Sequence, residues 1–130
     1  ADENAVYVLT DILKGVIERG TAKTVRAMGY QRPAAGKTGT SNDTRDAWFV
    51  GFTPNLAVGV WVGYDDDSKL GYTGGMLAAP IWTKFMQCVQ NYHEGIDFIA
   101  PTGVTFVDID SVSLESSTIW SKFRAIGHCG

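Results

Sequence analysis

The stretch Ala35-Gly36-Lys37-Thr38-Gly39-Thr40, followed closely by Asp46-Ala47-Trp48-Phe49-Val50-Gly51, decides the fold of this 130-residue chain. From Ala34 to Tyr64 apolar residues recur with a period near two, and β-branched and aromatic residues concentrate between turn signals. The pattern predicts three strands, near residues 34–41, 46–53 and 56–64. Their connections are too short for a crossover, so neighbouring strands are expected to run antiparallel.

The segment before the strands has helical spacing. Val6, Leu9 and Leu13 recur at helical intervals, which predicts a first helix with Asn4 as its N-cap and Gly20 just past its end. Residues 21–28 are expected to add a short second helix before a proline interrupts it.

Helix and strand signals also follow the three strands. The polar, glycine-rich stretch from Asp65 to Gly75 indicates a loop, and Pro80 is expected in the first turn of a helix that runs to about Tyr92. A short strand follows near residues 104–109, and no period is evident from residue 111 onward. The third predicted strand is apolar on both faces, so helices are expected to cover both. The predicted fold class is α/β, of the α+β type: an antiparallel sheet flanked by helices.

The composition is that of a globular protein, with 45% apolar and 19% charged residues. The net charge is −3 and the basic residues are not clustered, so nucleic acid is not expected as a partner. No apolar stretch reaches the ~20 residues of a membrane-spanning helix, and the first four residues lack the features of a signal peptide. The two cysteines, Cys88 and Cys129, fit either a disulfide or free thiols.

The segment from Gly36 to Thr40 combines groups that would suit recognition of an acyl-donor peptide. Lys37 supplies charge for a carboxylate, and the hydroxyls of Thr38 and Thr40 supply hydrogen bonds. Gly39 leaves room for close approach. In a regular strand Lys37 and Gly39 share one face, and the two threonines share the other. A surface strand with a solvated lysine is the alternative interpretation of so short a motif.

Longer blocks of sequence favour the first interpretation. The blocks are Leu13–Thr21, Ala35–Thr40, Asp46–Pro54, Val60–Asp65, and Gly74-Gly75 with Ala79–Trp82. In order and spacing, residues 5–110 resemble the transpeptidase domain of class A, bifunctional penicillin-binding proteins. The resemblance implies the C-terminal part of a serine β-lactamase-like fold. Asp46 and Trp48 match the family as well, and structural roles are expected for both, with Trp48 either in packing or as a wall of the cleft.

The resemblance implies a role for each residue of the Lys-Thr-Gly strand. Lys37 would line the cleft and supply positive charge, while Thr38 and Thr40 would hold the carboxylate of a stem peptide or a β-lactam. The backbone N–H of Thr40 would be an oxyanion-hole donor, and Gly39 would keep the strand clear of the acyl group. No metal or organic cofactor is implied.

Enzymes of this family use two further motifs, Ser-x-x-Lys and Ser-x-Asn, and neither occurs in this chain. In the family both precede Lys-Thr-Gly, so the resemblance implies a fragment, with residues 1–110 from the C-terminal portion of the domain. Residues 111–130, which show no clear period, are expected to be a poorly ordered tail. The chain alone is expected to be inactive. Its parent would be a D,D-transpeptidase at the extracytoplasmic face of the bacterial inner membrane, where it cross-links peptidoglycan stem peptides and is acylated by β-lactams. The alternative is a non-catalytic module that binds a peptide or β-lactam carboxylate.

Metal sites are not predicted. The run Asp65-Asp66-Asp67 indicates a solvated loop, because Lys69 and Leu70 stand where a calcium loop needs an oxygen ligand and a glycine. Cys88 and His93 are five residues apart, about 140° around a helix, which is unfavourable for a shared metal. His128 and Cys129 lie in the last three residues, where a frayed end is expected.

The resemblance also predicts a bare sheet edge. In the family the strand that corresponds to Leu56–Tyr64 pairs with a strand from the start of the domain. An unpaired apolar edge is a template for association. The edge is therefore expected to self-pair, to swap, or to be covered by the segment Gly103–Asp110 of the same chain, with self-association preferred.

Overall fold

The computed structural model describes residues 1–109 and 123–128, with side chains described for residues 1–107. The chain divides into two compact units, a larger one of residues 12–98 and a smaller one that contains residues 1–11 and the described residues from 99 onward. The elements in order are α1 (Glu3–Glu18), α2 (Thr24–Ala27), β1 (Ala35–Thr40), β2 (Asp46–Phe52), β3 (Ala57–Gly63), α3 (Gly74–Val89), β4 (Val104–Ile109) and β5 (Phe123–His128). Short 3-10 turns occupy Asn42–Thr44 and Gln90–Tyr92.

The sheet of the larger unit has three antiparallel strands in the order β1-β2-β3. Thr40 of β1 pairs with Ala47 of β2, and Trp48 of β2 pairs with Trp61 of β3. The three predicted strands are confirmed to within one residue at each end, as is the fold class: a mixed α/β protein with an antiparallel sheet and helices.

Helix α3 covers one face of this sheet and forms the core with it. The ring of Trp82 packs edge-on against Phe49 of β2, with ring centroids 5.4 Å apart, and against Tyr30, with centroids 5.6 Å apart. Its indole Nε1 donates to the backbone carbonyl of Gly51 at 3.3 Å, so the one polar atom of the side chain is satisfied inside the core. The other buried members of this core are Ile17, Ala22, Val25, Ala34, Ala78, Ala79 and Met86.

The opposite face of the sheet is exposed at its centre. Trp48 is 46% exposed, Val50 48% and Trp61 46%. The expectation that helices cover both faces is therefore wrong for the part of the chain that the structure describes. Val58 and Val60 pack against the core cluster, whereas Trp61 points the other way, because side chains alternate along a strand. Apolar residues on both faces of a strand do not by themselves show which face another element covers.

Two predicted helix starts are wrong. Helix α1 begins at Glu3, and Asn4 lies inside it; the Asp2 carboxylate accepts a hydrogen bond from the Asn4 backbone N–H at 2.9 Å, so Asp2 satisfies a donor of the first turn. Helix α3 begins at Gly74, so Pro80 lies in its middle and not in its first turn. Gly74 and Gly75, which indicated a loop, form the first turn of α3. Glycine is required at both positions, because an added Cβ would overlap backbone atoms of neighbouring segments.

In the smaller unit, β4 pairs antiparallel with β5 from Val104↔His128 to Ile109↔Phe123. The strand predicted near residues 104–109 is confirmed, whereas β5 was not predicted. Since β4 belongs to this two-stranded sheet, the segment from Gly103 does not extend the larger sheet beyond β3. Tyr7 of α1 packs edge-on against Phe106, with ring centroids 6.3 Å apart. Among the described residues, none of the helices combines the length and hydrophobicity needed to cross a membrane.

Candidate functional site

Lys37 lies near the middle of β1, an edge strand of the three-stranded sheet, and its side chain is exposed. Its ammonium donates to the backbone carbonyl of Thr38 at 2.6 Å. Among the described residues no carboxylate forms a salt bridge with Lys37. The positive charge therefore remains available to an anionic group from outside this part of the chain.

The register confirms that lysine and threonines alternate between the two faces of β1. Lys37 pairs with Val50 and Gly39 with Trp48, on the face that is exposed at its centre. Thr38 instead pairs with Phe49, which is fully buried under α3. The four residues predicted from the sequence thus lie on one edge strand but do not all point to one side of the sheet.

The hydroxyls of both threonines already have partners. Thr38 Oγ1 lies 2.8 Å from Thr21 Oγ1, a pair in which either oxygen can be the donor. Thr40 Oγ1 accepts a hydrogen bond from the backbone N–H of Gly74 at 3.1 Å. Thr73, the N-cap residue of α3, makes no side-chain cap bond, so a threonine from β1 caps this helix. The sequence analysis missed Thr21 and Gly74 as partners, although both fall within the blocks that carry the resemblance.

Gly39 and Gly74 hold the strand tightly between its neighbours. A Cβ added to Gly39 would lie 3.2 Å from Trp48 Cβ, so glycine makes room here for a tryptophan. A Cβ added to Gly74 would lie 2.6 Å from the Gly39 carbonyl oxygen and would clash still more severely with the carbonyl oxygen of Trp48. The first turn of α3 is therefore packed directly against the backbone of β1 and β2, which leaves the strand little freedom to shift.

Trp48 and Trp61 form an exposed aromatic pair on the Lys37 face of the sheet. Their ring centroids are 6.3 Å apart and their planes are tilted by 48°. The Trp61 indole Nε1 donates to the Asp46 carboxylate at 2.9 Å, which fixes the ring relative to β2. The structural role expected for Asp46 and Trp48 thus takes a particular form: both residues contact Trp61 of β3, which lies on the same face of the sheet as Lys37 but two strands away from β1.

The turn after β1 is tied to the acidic loop around residue 67. Arg45 pairs with the carboxylate of Asp67, and Leu70 donates its backbone N–H to the Thr44 carbonyl at 2.9 Å. Asp43 and Thr44 both have positive φ, at 65° and 54°, a conformation that these tertiary contacts must hold in place. Hydrogen bonds from Ser68 hold the pKa of the Asp66 carboxyl below its usual value.

The structure does not group the candidate residues outside β1 with Lys37 to Thr40 in a second site. A small pocket in the larger unit is lined by His93, Tyr30 and Arg32 among others, and none of the residues from Lys37 to Thr40 lines it. Burial raises the pKa of the Tyr30 phenol, and the charges of Arg32 and Arg26 partly offset that effect. Cys88 is exposed and free. The Cys129 and His128 side chains lie outside the described part of the chain.

The chain is similar in sequence to several curated penicillin-binding proteins. It is 39% identical over 128 residues to penicillin-binding protein 1A of Rickettsia prowazekii, a match that covers 95% of this chain and 16% of that protein. The corresponding protein of Aquifex aeolicus is 43% identical over 109 residues, with 82% of this chain and 15% of the relative covered. The protein of the same name from Neisseria gonorrhoeae is 37% identical over 105 residues, which is 79% of this chain and 13% of the relative. No model of a known protein family matches the chain.

The fold is similar to that of a solved structure of penicillin-binding protein 1A from Haemophilus influenzae. The TM-score is 0.84 at 24% sequence identity, over 98% of this chain and 20% of that one. The antiparallel α/β fold is therefore that of a penicillin-binding protein. The sequence relatives show that the chain belongs to the class A penicillin-binding proteins. It spans about one sixth of the length of the Rickettsia prowazekii and Aquifex aeolicus proteins.

Proposed function

We propose that this chain forms the C-terminal portion of a D,D-transpeptidase domain and supplies its Lys-Thr-Gly strand. In the parent protein a serine would attack a D-Ala-D-Ala stem peptide, form an acyl-enzyme and release D-Ala. An amine of a neighbouring stem peptide would then take the acyl group and release the serine, which completes a peptidoglycan cross-link. A β-lactam would acylate the same serine.

The observation that carries the proposal is the state of Lys37. An exposed lysine on an edge strand, with no salt bridge to a described carboxylate, presents its charge to a ligand. Hydroxyl groups of Thr38 and Thr40 lie on the same strand, and the first turn of α3 packs at Gly74 against the backbone of that strand. This arrangement suits recognition of an acyl donor that ends in a carboxylate.

The remaining roles follow from the same proposal. Thr38 and Thr40 would hydrogen-bond the substrate carboxylate, and the Thr40 backbone N–H would stabilise the oxyanion of the tetrahedral intermediate. Residues 1–110 would belong to the transpeptidase domain, and residues 111–130 would follow it as a tail whose strand β5 pairs with β4. The chain has no Ser-x-x-Lys motif, so it would need the rest of the domain for catalysis. The parent would act at the extracytoplasmic face of the bacterial inner membrane.

The test is the substitution Lys37→Ala in the intact parent protein, with Lys84→Ala as the matched control because Lys84 is also exposed but lies on α3. Loss of a charge-assisted hydrogen bond to the carboxylate should slow acylation by a fluorescent penicillin by roughly 10- to 100-fold. Lys84→Ala should leave the rate unchanged. If Lys37→Ala folds normally and is acylated at the rate of the unmodified protein, Lys37 is a solvated surface lysine and the proposal is wrong.

A further inference from the structure

Thr21 follows the end of α1, and its hydroxyl meets the Lys-Thr-Gly strand. Thr21 Oγ1 and Thr38 Oγ1 are 2.8 Å apart, and the sequence analysis gave Thr21 no role. The two threonines are 17 positions apart along the chain. Their contact therefore depends on the folded arrangement of the turn after α1 and the edge strand β1.

The position of Thr21 is fixed by its backbone. The Thr21 carbonyl oxygen packs so closely against Gly75 of α3 that a Cβ at that glycine would overlap it. The next residue, Ala22, is fully buried and donates its backbone N–H to the Val16 carbonyl at 3.0 Å. The Thr21 hydroxyl is thus presented to Thr38 from an anchored turn, while its residue remains exposed at the surface.

A hydrogen bond between two hydroxyls uses the hydrogen of only one of them. The hydrogen of the other hydroxyl can then be donated to a different acceptor. If Thr38 donates to Thr21, the Thr38 hydroxyl can act towards a ligand only as an acceptor. If Thr21 donates to Thr38, the Thr38 hydrogen is free to donate to a third group. A carboxylate only accepts hydrogen bonds, so a bound carboxylate selects the second arrangement. Hydrogen bonds arranged in such a chain strengthen one another.

At Thr40 the direction of the corresponding hydrogen bond is fixed, because its partner is a backbone N–H. The Gly74 backbone N–H donates to Thr40 Oγ1, so the Thr40 hydrogen is free to point elsewhere. Both threonines of the strand therefore have a partner on a neighbouring element that can occupy their acceptor side. One partner is a backbone N–H, and the other is the hydroxyl of Thr21.

We propose that Thr21 is a positioning residue of this site: its hydroxyl donates to Thr38 Oγ1 and turns the Thr38 hydrogen toward the carboxylate of the acyl donor. The inference rests on the proposed function. Thr21 itself does not touch the reacting atoms, and it acts through Thr38. Removing the Thr21 hydroxyl should therefore weaken recognition of the carboxylate without affecting the attack on the carbonyl carbon.

The experiment compares Thr21→Val, Thr21→Ala and Thr21→Ser in the intact parent protein, with Thr102→Val as a control at an exposed turn. The second-order rate constant of acylation is measured with benzylpenicillin and with its methyl ester, in which the carboxylate is masked. Thr21→Val and Thr21→Ala should slow acylation by the free acid by about 3- to 10-fold, the worth of one hydrogen bond. Thr21→Ser should retain the rate of the unmodified protein. The ester also accepts hydrogen bonds but carries no charge, so its hydrogen bond to Thr38 is weaker and its loss should be clearly smaller than that of the acid.

A double-substitution cycle separates this role from a structural one. In a Thr38→Val background, Thr21→Val should have no further effect on the acid, because the relay is already broken. Equal losses for acid and ester, additive losses with Thr38→Val, or an unimpaired Thr21→Ala would each overturn the inference while leaving the proposed function intact. Absence of acylation in the unmodified parent would overturn the proposed function, and the inference with it.

Discussion

Gly74 shows at the level of one residue how closely α3 approaches the sheet. A methyl group there would meet the backbone carbonyls of Gly39 and Trp48, and backbone atoms cannot move aside as a flexible side chain can. We expect Gly74→Ala to lower the free energy of unfolding of the chain by about 1–3 kcal/mol.

Urea denaturation measures this effect, and Gly59→Ala is the matched control. Gly59 lies in β3, where an added Cβ would meet only Val50 Cγ2 at 3.8 Å, an ordinary contact. That variant should be nearly neutral. If the two substitutions have equal effects, the close approach of α3 to the strands does not limit what residue 74 can be.

Thr40 has a stabilising role that is separate from any ligand. Its hydroxyl takes the place of an N-cap side chain for α3, so Thr40→Val should cost about 0.5–2 kcal/mol of stability, whereas Thr40→Ser should cost much less because it keeps the oxygen. Thermal unfolding of the two variants of this chain checks the difference. Equal melting temperatures would show that the Gly74 N–H finds another acceptor without loss.

Sequence reasoning selected Lys37, Thr38, Gly39 and Thr40 because their side-chain chemistry is visible in the letters themselves. It missed the contacts that orient them. Thr21 and Thr38 are 17 residues apart, and Thr40 and Gly74 are 34 residues apart. No periodicity links such positions, since the contacts arise only when α1, β1 and α3 pack together.

At the level of elements, the strands were easier to predict than the helix starts. Alternation and short turns specify a meander locally, and β1 to β3 follow that pattern. The start of α3 depends on tertiary packing. Two adjacent glycines and a later proline normally indicate a loop followed by a helix, but here the glycines admit the backbone of neighbouring strands, and Pro80 lies inside the helix.

We predict that the chain associates with further copies of itself through the outer edge of β3. No described strand lies beyond β3, so one row of its backbone groups has no partner in the sheet. Concentrated solutions of the chain should contain dimers or larger assemblies, and Gly59→Lys should shift them toward monomer because a charge in the middle of the strand opposes edge pairing. Light scattering at several concentrations measures both effects.

The structure also determines which substitutions can test this edge. Val60 packs against the core, so a lysine there would disturb folding as well as association. Gly59 is exposed, and an added Cβ there would make only one ordinary contact, with Val50 Cγ2. Met76→Lys, at a 59% exposed position of α3, adds the same charge elsewhere and should leave association unchanged. A chain that is monomeric at all concentrations would refute the prediction.

At the level of the whole molecule, the proposed function predicts that this chain has no covalent chemistry of its own. It lacks the Ser-x-x-Lys motif that would provide the nucleophile and its neighbouring lysine. Incubation with excess penicillin should leave its intact mass unchanged, while the parent protein gains one acyl group. A stoichiometric adduct on any residue of the isolated chain would contradict the assignment of this segment to the part of the domain without the nucleophile.

The capping of α3 by a strand residue has a consequence for the order of folding. Two glycines weaken the intrinsic tendency of the first turn to be helical, by about 1 kcal/mol each. The acceptor that stabilises this turn, Thr40, becomes available only after a loop of more than 30 residues has closed and β1 has formed. The N-terminal turn of α3 should therefore nucleate late. We expect φ-values near zero for substitutions at Gly74 and Gly75, so that these variants mainly speed unfolding and leave the refolding rate almost unchanged.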